Sequence, residues 1–114
     1  MQRLKEIEAL QNDWCEPGSI PSLPETIKEI KDFLQTVSEE DLANLDEDCI
    51  TPTPYGSITI EFSKNLYFIN IEFGKTNAGF FAILPGEEKY YGDLDYPIEN
   101  NKELYEHLKS LNKA

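Results

Sequence analysis

The chain has 114 residues and carries 22 acidic against 10 basic side chains, a formal net charge of −12. This length suits one domain with one hydrophobic core. The negative charge repels phosphate groups, so it argues against direct binding of nucleic acid or of an anionic membrane. Residues 1–50 contain 13 acids and 4 bases, whereas residues 51–114 contain 9 and 6. The first half is therefore the more acidic.

The cysteine and histidine content argues against a metal centre. Cys15 and Cys49 lie far apart in the sequence, and His107 is the single histidine. This set cannot build a structural zinc site from Cys and His alone. The first 13 residues are charged and amphipathic, and no apolar run is long enough to cross a membrane. The sequence therefore predicts a cytoplasmic protein with reduced thiols, no cofactor and no membrane contact.

Helical periodicity dominates the first half of the chain. Leu4, Ile7 and Leu10 form an apolar stripe that predicts a helix over about residues 2–12. A second helix is predicted to begin near Ser22, because Ser22 with a glutamate three residues later fits a capping box. A further short helical turn is predicted within the acidic segment 38–48.

The only tryptophan, Trp14, lies between the first two helices in the proline- and glycine-containing segment NDWCEPGSIPSLPETI. An aromatic ring that finds a polar partner can fix a corner of this kind. We therefore expect Trp14 to be a structural anchor. The alternative is a tryptophan that stacks on a ligand or contacts a partner.

The periodicity changes to two after residue 49. Residues 57–63 and 66–73 alternate apolar and polar side chains, which predicts two strands joined by a tight hairpin at residues 63–65. Two more strands are predicted at residues 79–85 and 89–96, the second at an edge because Gly92, Asp93 and Asp95 discourage further pairing. A helix follows, with His107 at the margin of its apolar stripe, where we expect a surface position.

The order of elements predicts the fold class. We expect a single α+β domain over residues 1–114, with an antiparallel meander sheet of three to five strands. Residues 1–48 are predicted to be helical and acidic, 49–96 to form the sheet, and 97–114 to form the C-terminal helix. The N-terminal helices and the C-terminal helix would pack on the sheet to give two layers.

Two segments carry a resemblance to a known family. Residues 12–34 resemble a pattern N-W-D-G-Y-G followed by a P-S-x-x-x-I helix, and residues 52–62, PTPYGSITIEF, resemble P-T-P-x-G-x-I-x-L-E-W. Together they resemble small uncharacterised bacterial proteins over about residues 8–74. The chain departs from the pattern at residues 14–18 and by an acidic insertion at residues 38–48. The resemblance implies a bacterial protein, often encoded beside toxin–antitoxin or mobile-element genes, and supplies no functional residue.

The acidic insertion and the apolar strand residues give candidate contact positions. Acids crowd the insertion without the spacing of a calcium loop, so they are expected to form a solvated surface. Leu66 and Phe68 share one strand face, opposite a second apolar face, which is more apolar surface than one helical layer needs. The candidate partner contacts are Glu39, Glu40, Asp41, Asp46, Glu47, Asp48, Leu66 and Phe68.

These features favour a non-enzymatic protein that binds a basic protein partner, as an antitoxin-like or immunity-like module, with self-association as a homodimer also open. One alternative is an acidic DNA mimic that inhibits a nucleic-acid enzyme. Another is a small-ligand binder or enzyme that uses Asp93 and Asp95, because carboxylates on one strand face can act as an acid/base pair. The sequence does not identify the partner or the oligomeric state.

Overall fold

Five strands form one antiparallel meander sheet in the order β1-β2-β3-β4-β5. The computed structural model describes residues 2–86 and 88–114. Its elements are α1 (Gln2–Glu8), α2 (Pro24–Thr36), α3 (Glu39–Leu42), β1 (Leu45–Pro52), β2 (Ile58–Lys64), β3 (Tyr67–Phe73), β4 (Asn77–Leu84), β5 (Glu88–Asp95), a 3-10 turn at Ile98–Asn100, and α4 (Lys102–Leu111). The predicted α+β class is confirmed.

The hydrophobic core lies between one face of the sheet and the helices. Alternate residues of the strands point into it, and the helices contribute their apolar stripes. At its centre the Phe33 ring of α2 lies 6.2 Å from the Phe62 ring and 5.8 Å from the Phe73 ring, measured between centroids. Helices and sheet therefore form the two predicted layers.

The sheet begins earlier than the sequence predicts. β1 starts at Leu45 rather than at residue 49, so the helical part ends at residue 44. Leu45 pairs with Phe62 and Ile50 pairs with Ile60, and the register shifts between these two pairs. Three consecutive acids occupy the shifted stretch, and acidic residues have low strand propensity. Because of these acids, the sequence did not indicate a strand here. The strand is defined by the pairing of its two ends with β2.

The predicted helix starts and ends need correction. α2 begins at Pro24 with Leu23 at the N-cap, so the predicted capping box at Ser22 is wrong. The Ser22 hydroxyl has no hydrogen-bond partner among the described residues. α1 ends at Glu8, short of the predicted residue 12, because its last turn tightens and the Leu10 N–H bonds to the Ile7 carbonyl.

The hairpin between β2 and β3 is one residue shorter than the predicted loop at residues 63–65 and lies further along the chain. Lys64 pairs with Tyr67, so the loop consists of Asn65 and Leu66. Asn65 adopts a φ of 58°, a left-handed conformation that asparagine tolerates better than most residues. The turn therefore forms at the asparagine, and β2 stays paired with β3 as far as Lys64.

Candidate functional site

The face of the sheet opposite the helices is uncovered. None of the described residues forms a layer over it, and large apolar side chains remain exposed there: Phe81 is 41% exposed and Tyr91 is 81% exposed. Isolated exposed apolar residues are ordinary, but contiguous ones mark interaction surfaces. The arrangement of these side chains therefore decides what the face can do.

Four side chains on this face form one group, which we call the outer aromatic patch: Phe68, Phe81, Ile83 and Tyr91. Phe68 lies opposite Ile83 across β3 and β4, and Phe81 lies opposite Tyr91 across β4 and β5. The Phe68 and Phe81 ring centroids are 5.7 Å apart, within the range of aromatic pairs. Phe68 and Ile83 are half-buried by their neighbours. The patch is therefore continuous across three strands.

Carboxylates surround the outer aromatic patch. Glu72, Asp93 and Asp95 are exposed on the same face, toward the other ends of the strands, and Lys89 is the basic residue beside the patch. Toward β1 the exposed residues Asp46, Glu47 and Asp48 form what we call the acidic edge. The uncovered face thus combines an apolar centre with a mainly acidic border.

The negative charge at this border affects the pKa of the Cys49 thiol. Its pKa is raised, first by burial and then by the negative charges of Glu61, Asp46 and Asp48. Cys15 is exposed in the loop between α1 and α2.

The predicted acidic contact residues divide into two groups. Glu39 and Glu40 are exposed, as are the three residues of the acidic edge. Asp41 is different, because it is only 5% exposed and its carboxylate accepts a hydrogen bond from the Asn112 side-chain amide. Its N–H also donates to the Ser38 hydroxyl at the helix cap. The expectation that Asp41 lies on a solvated surface is wrong, because α3 turns this side chain toward the end of α4.

The two predicted apolar contacts lie near the acids. Leu66 is 89% exposed at the tip of the β2–β3 hairpin. The Ser63 N–H donates to the Asn44 carbonyl at 2.9 Å, which ties this end of the sheet to the junction of α3 and β1. Phe68 belongs to the outer aromatic patch. The structure therefore brings Leu66, Phe68 and the acidic edge to one end of the sheet.

Asp93 and Asp95 are both exposed on the outer face. Asp93 lies opposite Gly79, and Glu72 lies on the other side of the same glycine. These residues border a shallow depression of about 250 Å³. The Asp95 carbonyl accepts a hydrogen bond from the Asn101 side chain.

His107 lies on the opposite, helix-covered face of the sheet. It is only 7% exposed and its ring centroid is 4.4 Å from that of Tyr90. The expectation of a surface histidine is wrong, because its position between Leu104 and Leu111 turns it toward the sheet. The sheet therefore separates His107 from Asp93 and Asp95, and His107 is not an acid–base partner of these two aspartates.

Trp14 fixes the corner between α1 and α2. Its indole N–H donates to the Ile20 carbonyl at 2.9 Å, so the expected polar partner is present. The Ile20 N–H in turn donates to the Pro54 carbonyl at 2.9 Å. A Cβ on Gly56 would lie 3.1 Å from the Ile20 side chain. The two segments that carry the family resemblance therefore pack against each other, a contact that the sequence does not reveal.

Tyr91 is a residue of the outer aromatic patch that sequence reasoning did not single out as a contact. Its signal was present in the strand alternation, which places it on the same face as Asp93. The predicted meander already implies that β5 lies beside β4, but it does not give the register, and the register places Tyr91 opposite Phe81. Adjacency in the sheet, not composition, creates the outer aromatic patch.

Fold and surface together define a two-layer α+β protein with one uncovered, aromatic and acid-bordered sheet face. No known protein family matches this chain, and no curated protein or solved structure matches it either. The family resemblance of the two motifs therefore stays a prediction. Among the residues that the structure describes, no helix is long and apolar enough to cross a membrane.

Proposed function

We propose that the protein is a non-enzymatic, cytoplasmic protein-binding module of bacterial origin, antitoxin-like or immunity-like, whose contact centre is the outer aromatic patch. The observation that carries this proposal is the continuity of Phe68, Phe81, Ile83 and Tyr91 on an uncovered sheet face. Interface centres are enriched in aromatic residues, and such residues supply most binding energy when a partner excludes water from them.

The charge around the patch favours a basic partner. The acidic edge lies on one side, and Glu72, Asp93 and Asp95 lie toward the far ends of the strands. A basic rim on the partner would speed association and fix its orientation on the sheet. Two copies that met face to face across this surface would instead bring like charges together. The occupant of the outer face is therefore a different protein with an apolar centre and basic surroundings.

Mimicry of DNA is the second candidate. The observation in its favour is that Glu39, Glu40 and the acidic edge are all exposed. Binding of that kind depends on charge alone and weakens steeply with salt. Binding through the outer aromatic patch depends mainly on apolar burial and resists salt. The salt dependence of the complex separates the two candidates.

The experiment is affinity capture of the tagged protein from its own cells, at low and at physiological salt, with partners identified by mass spectrometry. Phe81→Ser tests the patch, and Gln35→Ser is the matched control because Gln35 is exposed on α2, on the helical side. We expect one stoichiometric, basic partner with the wild type and the control, and its loss with Phe81→Ser. Capture that is indifferent to Phe81→Ser but abolished at physiological salt would support the DNA mimic instead.

A further inference from the structure

The two edges of the sheet differ in how well they resist pairing with another strand. β1 is interrupted by a register shift, carries three consecutive acids and ends at Pro52. β5 also carries charged residues, Glu88, Lys89, Asp93 and Asp95, but they are of both signs. The strand is regular, with continuous pairing to β4 from Asn77 opposite Asp95 to Leu84 opposite Glu88. Bulges, charges and prolines are the devices that keep edges from pairing, and a long regular edge is a template for another strand.

The sequence predicts that Gly92, Asp93 and Asp95 discourage further pairing of β5. β5 has no bulge and no proline, however, and its charges of both signs can be matched by a second strand, so it can still act as a template.

The alternation of hydrogen bonds shows which backbone groups of β5 face outward. The Gly74 N–H donates to the Asn77 carbonyl, and in antiparallel pairs bonded and non-bonded positions alternate along each strand. The register of β3, β4 and β5 then gives the direction of each backbone group in β5. Alternate residues of β5 direct their N–H and C=O groups toward β4, and the residues between them direct these groups away from the sheet. The Asp95 carbonyl agrees with this alternation, because it accepts a hydrogen bond from the Asn101 side chain and not from β4. Among the described residues of β5, Lys89, Tyr91 and Asp93 have backbone groups that face outward and are not bonded to another described residue.

We propose that β5 pairs antiparallel with β5 of a second copy of this chain, so that a continuous sheet runs across a two-fold axis. Tyr91 would lie opposite Tyr91 of the second copy, and Lys89 would lie opposite Asp93. All of these positions are hydrogen-bonded in the proposed pairing, because their N–H and C=O groups face outward. This inference goes beyond the proposed function, since it concerns the edge of the sheet and not its outer face.

A second copy is the occupant because the strand is complementary to itself. Lys89 and Asp93 are both exposed and are equally distant from Tyr91, so one symmetric register brings opposite charges together on both sides of the axis. Opposite charges and aromatic pairs directly across strands are stabilising. A register shifted to bring Lys89 opposite Asp95 is less favourable, because the Asp95 carbonyl already accepts a hydrogen bond from the Asn101 side chain on its outward side.

The neighbouring pair on the helical face also fits this register. Tyr90 would lie opposite Gly92 of the second copy, and Gly92 has no side chain to obstruct the ring. Aromatic residues across from edge glycines are a known way to cover the exposed glycine backbone. The net charge of −12 per chain opposes association only over short range, because salt screens charges beyond about 8 Å at physiological ionic strength. The pairing would also join the outer aromatic patches through their Tyr91 side chains.

The test is sedimentation velocity of the full chain across a range of concentrations at physiological salt, with thermal unfolding of each variant as the check of folding. We expect a concentration-dependent dimer for the wild type. Lys89→Asp and Asp93→Lys should each weaken dimerisation by about tenfold, because each places like charges opposite one another on both sides of the axis. The double variant with both changes should dimerise as the wild type does.

Two substitutions at the symmetry axis test the backbone bonds separately. Tyr91→Pro removes an outward N–H and should abolish the dimer while the fold remains, because proline is tolerated at the solvent side of an edge strand. Tyr91→Thr keeps the N–H and should retain most of the dimer. A wild type that sediments as a monomer at every concentration would overturn the inference, and so would a dimer that survives Tyr91→Pro or is not restored by the double charge swap.

Discussion

The two faces of the sheet carry similar side chains but have different surroundings. On the inner face Phe73 meets Phe33 of α2 and is fully buried, whereas on the outer face Phe81 meets Phe68 and stays 41% exposed. The difference is not in hydrophobicity but in what lies above each ring. An apolar residue with a cover stabilises the fold, and one without a cover is available to a partner. The comparison predicts where substitutions harm folding and where they harm binding.

The largest expected effect is at the inner face. Phe73→Ala should lower the free energy of unfolding by about 3–5 kcal/mol, because it removes a buried ring and leaves a cavity against Phe33. Chemical denaturation followed by far-ultraviolet circular dichroism measures the change. A loss smaller than that caused by Phe81→Ser would contradict the distinction between the two faces.

A smaller effect is expected where an acidic residue faces inward. Asp41→Ala should lower the free energy of unfolding by about 1–3 kcal/mol, because it removes a buried carboxylate and leaves the half-buried amide of Asn112 without this acceptor. Glu40→Ala is the matched control on the exposed side of the same short helix and should change stability by less than about 0.5 kcal/mol. Equal effects in the two variants would show that Asp41 belongs to the solvated acidic surface after all.

The sequence predicted the meander and its helices because alternation and helical stripes are local signals. It missed the start of β1, because the register of that strand depends on pairing with β2 and not on its acidic residues. It placed Ser22 at a helix cap and Asp41 on the surface, since neither the position of Leu23 nor the approach of Asn112 leaves a local mark. Within the candidate site, the face of Phe68 was predictable from strand alternation, but its contact with Phe81 depends on the register between β3 and β4.

The inner face should also respond to alkaline pH. Burial, with a smaller contribution from Glu29, raises the pKa of Tyr96 from 10.0 to about 12, and its hydroxyl donates to the Gly74 carbonyl at 2.7 Å. The unfolded chain loses this proton first, so the stabilisation is complete below pH 10 and is lost as the pH rises toward 12. The free energy of unfolding should therefore fall over that interval.

The variant Tyr96→Phe removes the Tyr96 hydroxyl and so tests its contribution alone. At neutral pH it should cost about 0.5–1.5 kcal/mol for the lost hydrogen bond, and its stability should fall less steeply with pH than that of the wild type. Denaturation series at several pH values measure both quantities. A slope equal to that of the wild type would exclude Tyr96 as its source.

The smallest effect on folding is expected at the outer face. Phe81→Ser should change the free energy of unfolding by no more than about 1 kcal/mol, because the side chain contacts other outer-face residues and no helix. The same denaturation protocol measures it. A loss as large as that of Phe73→Ala would mean that the fold requires the outer aromatic patch, and its exposure would then not indicate a binding site.

Photo-crosslinking inside the protein's own cells tests the central claim most directly. A photoreactive phenylalanine derivative is placed at position 81 on the outer face or at position 35 on α2, and adducts are identified by mass spectrometry. We expect one dominant adduct with a basic protein from position 81 and none from position 35. An adduct from position 35 alone, or the same adducts from both positions, would contradict the assignment of binding to the uncovered face of the sheet.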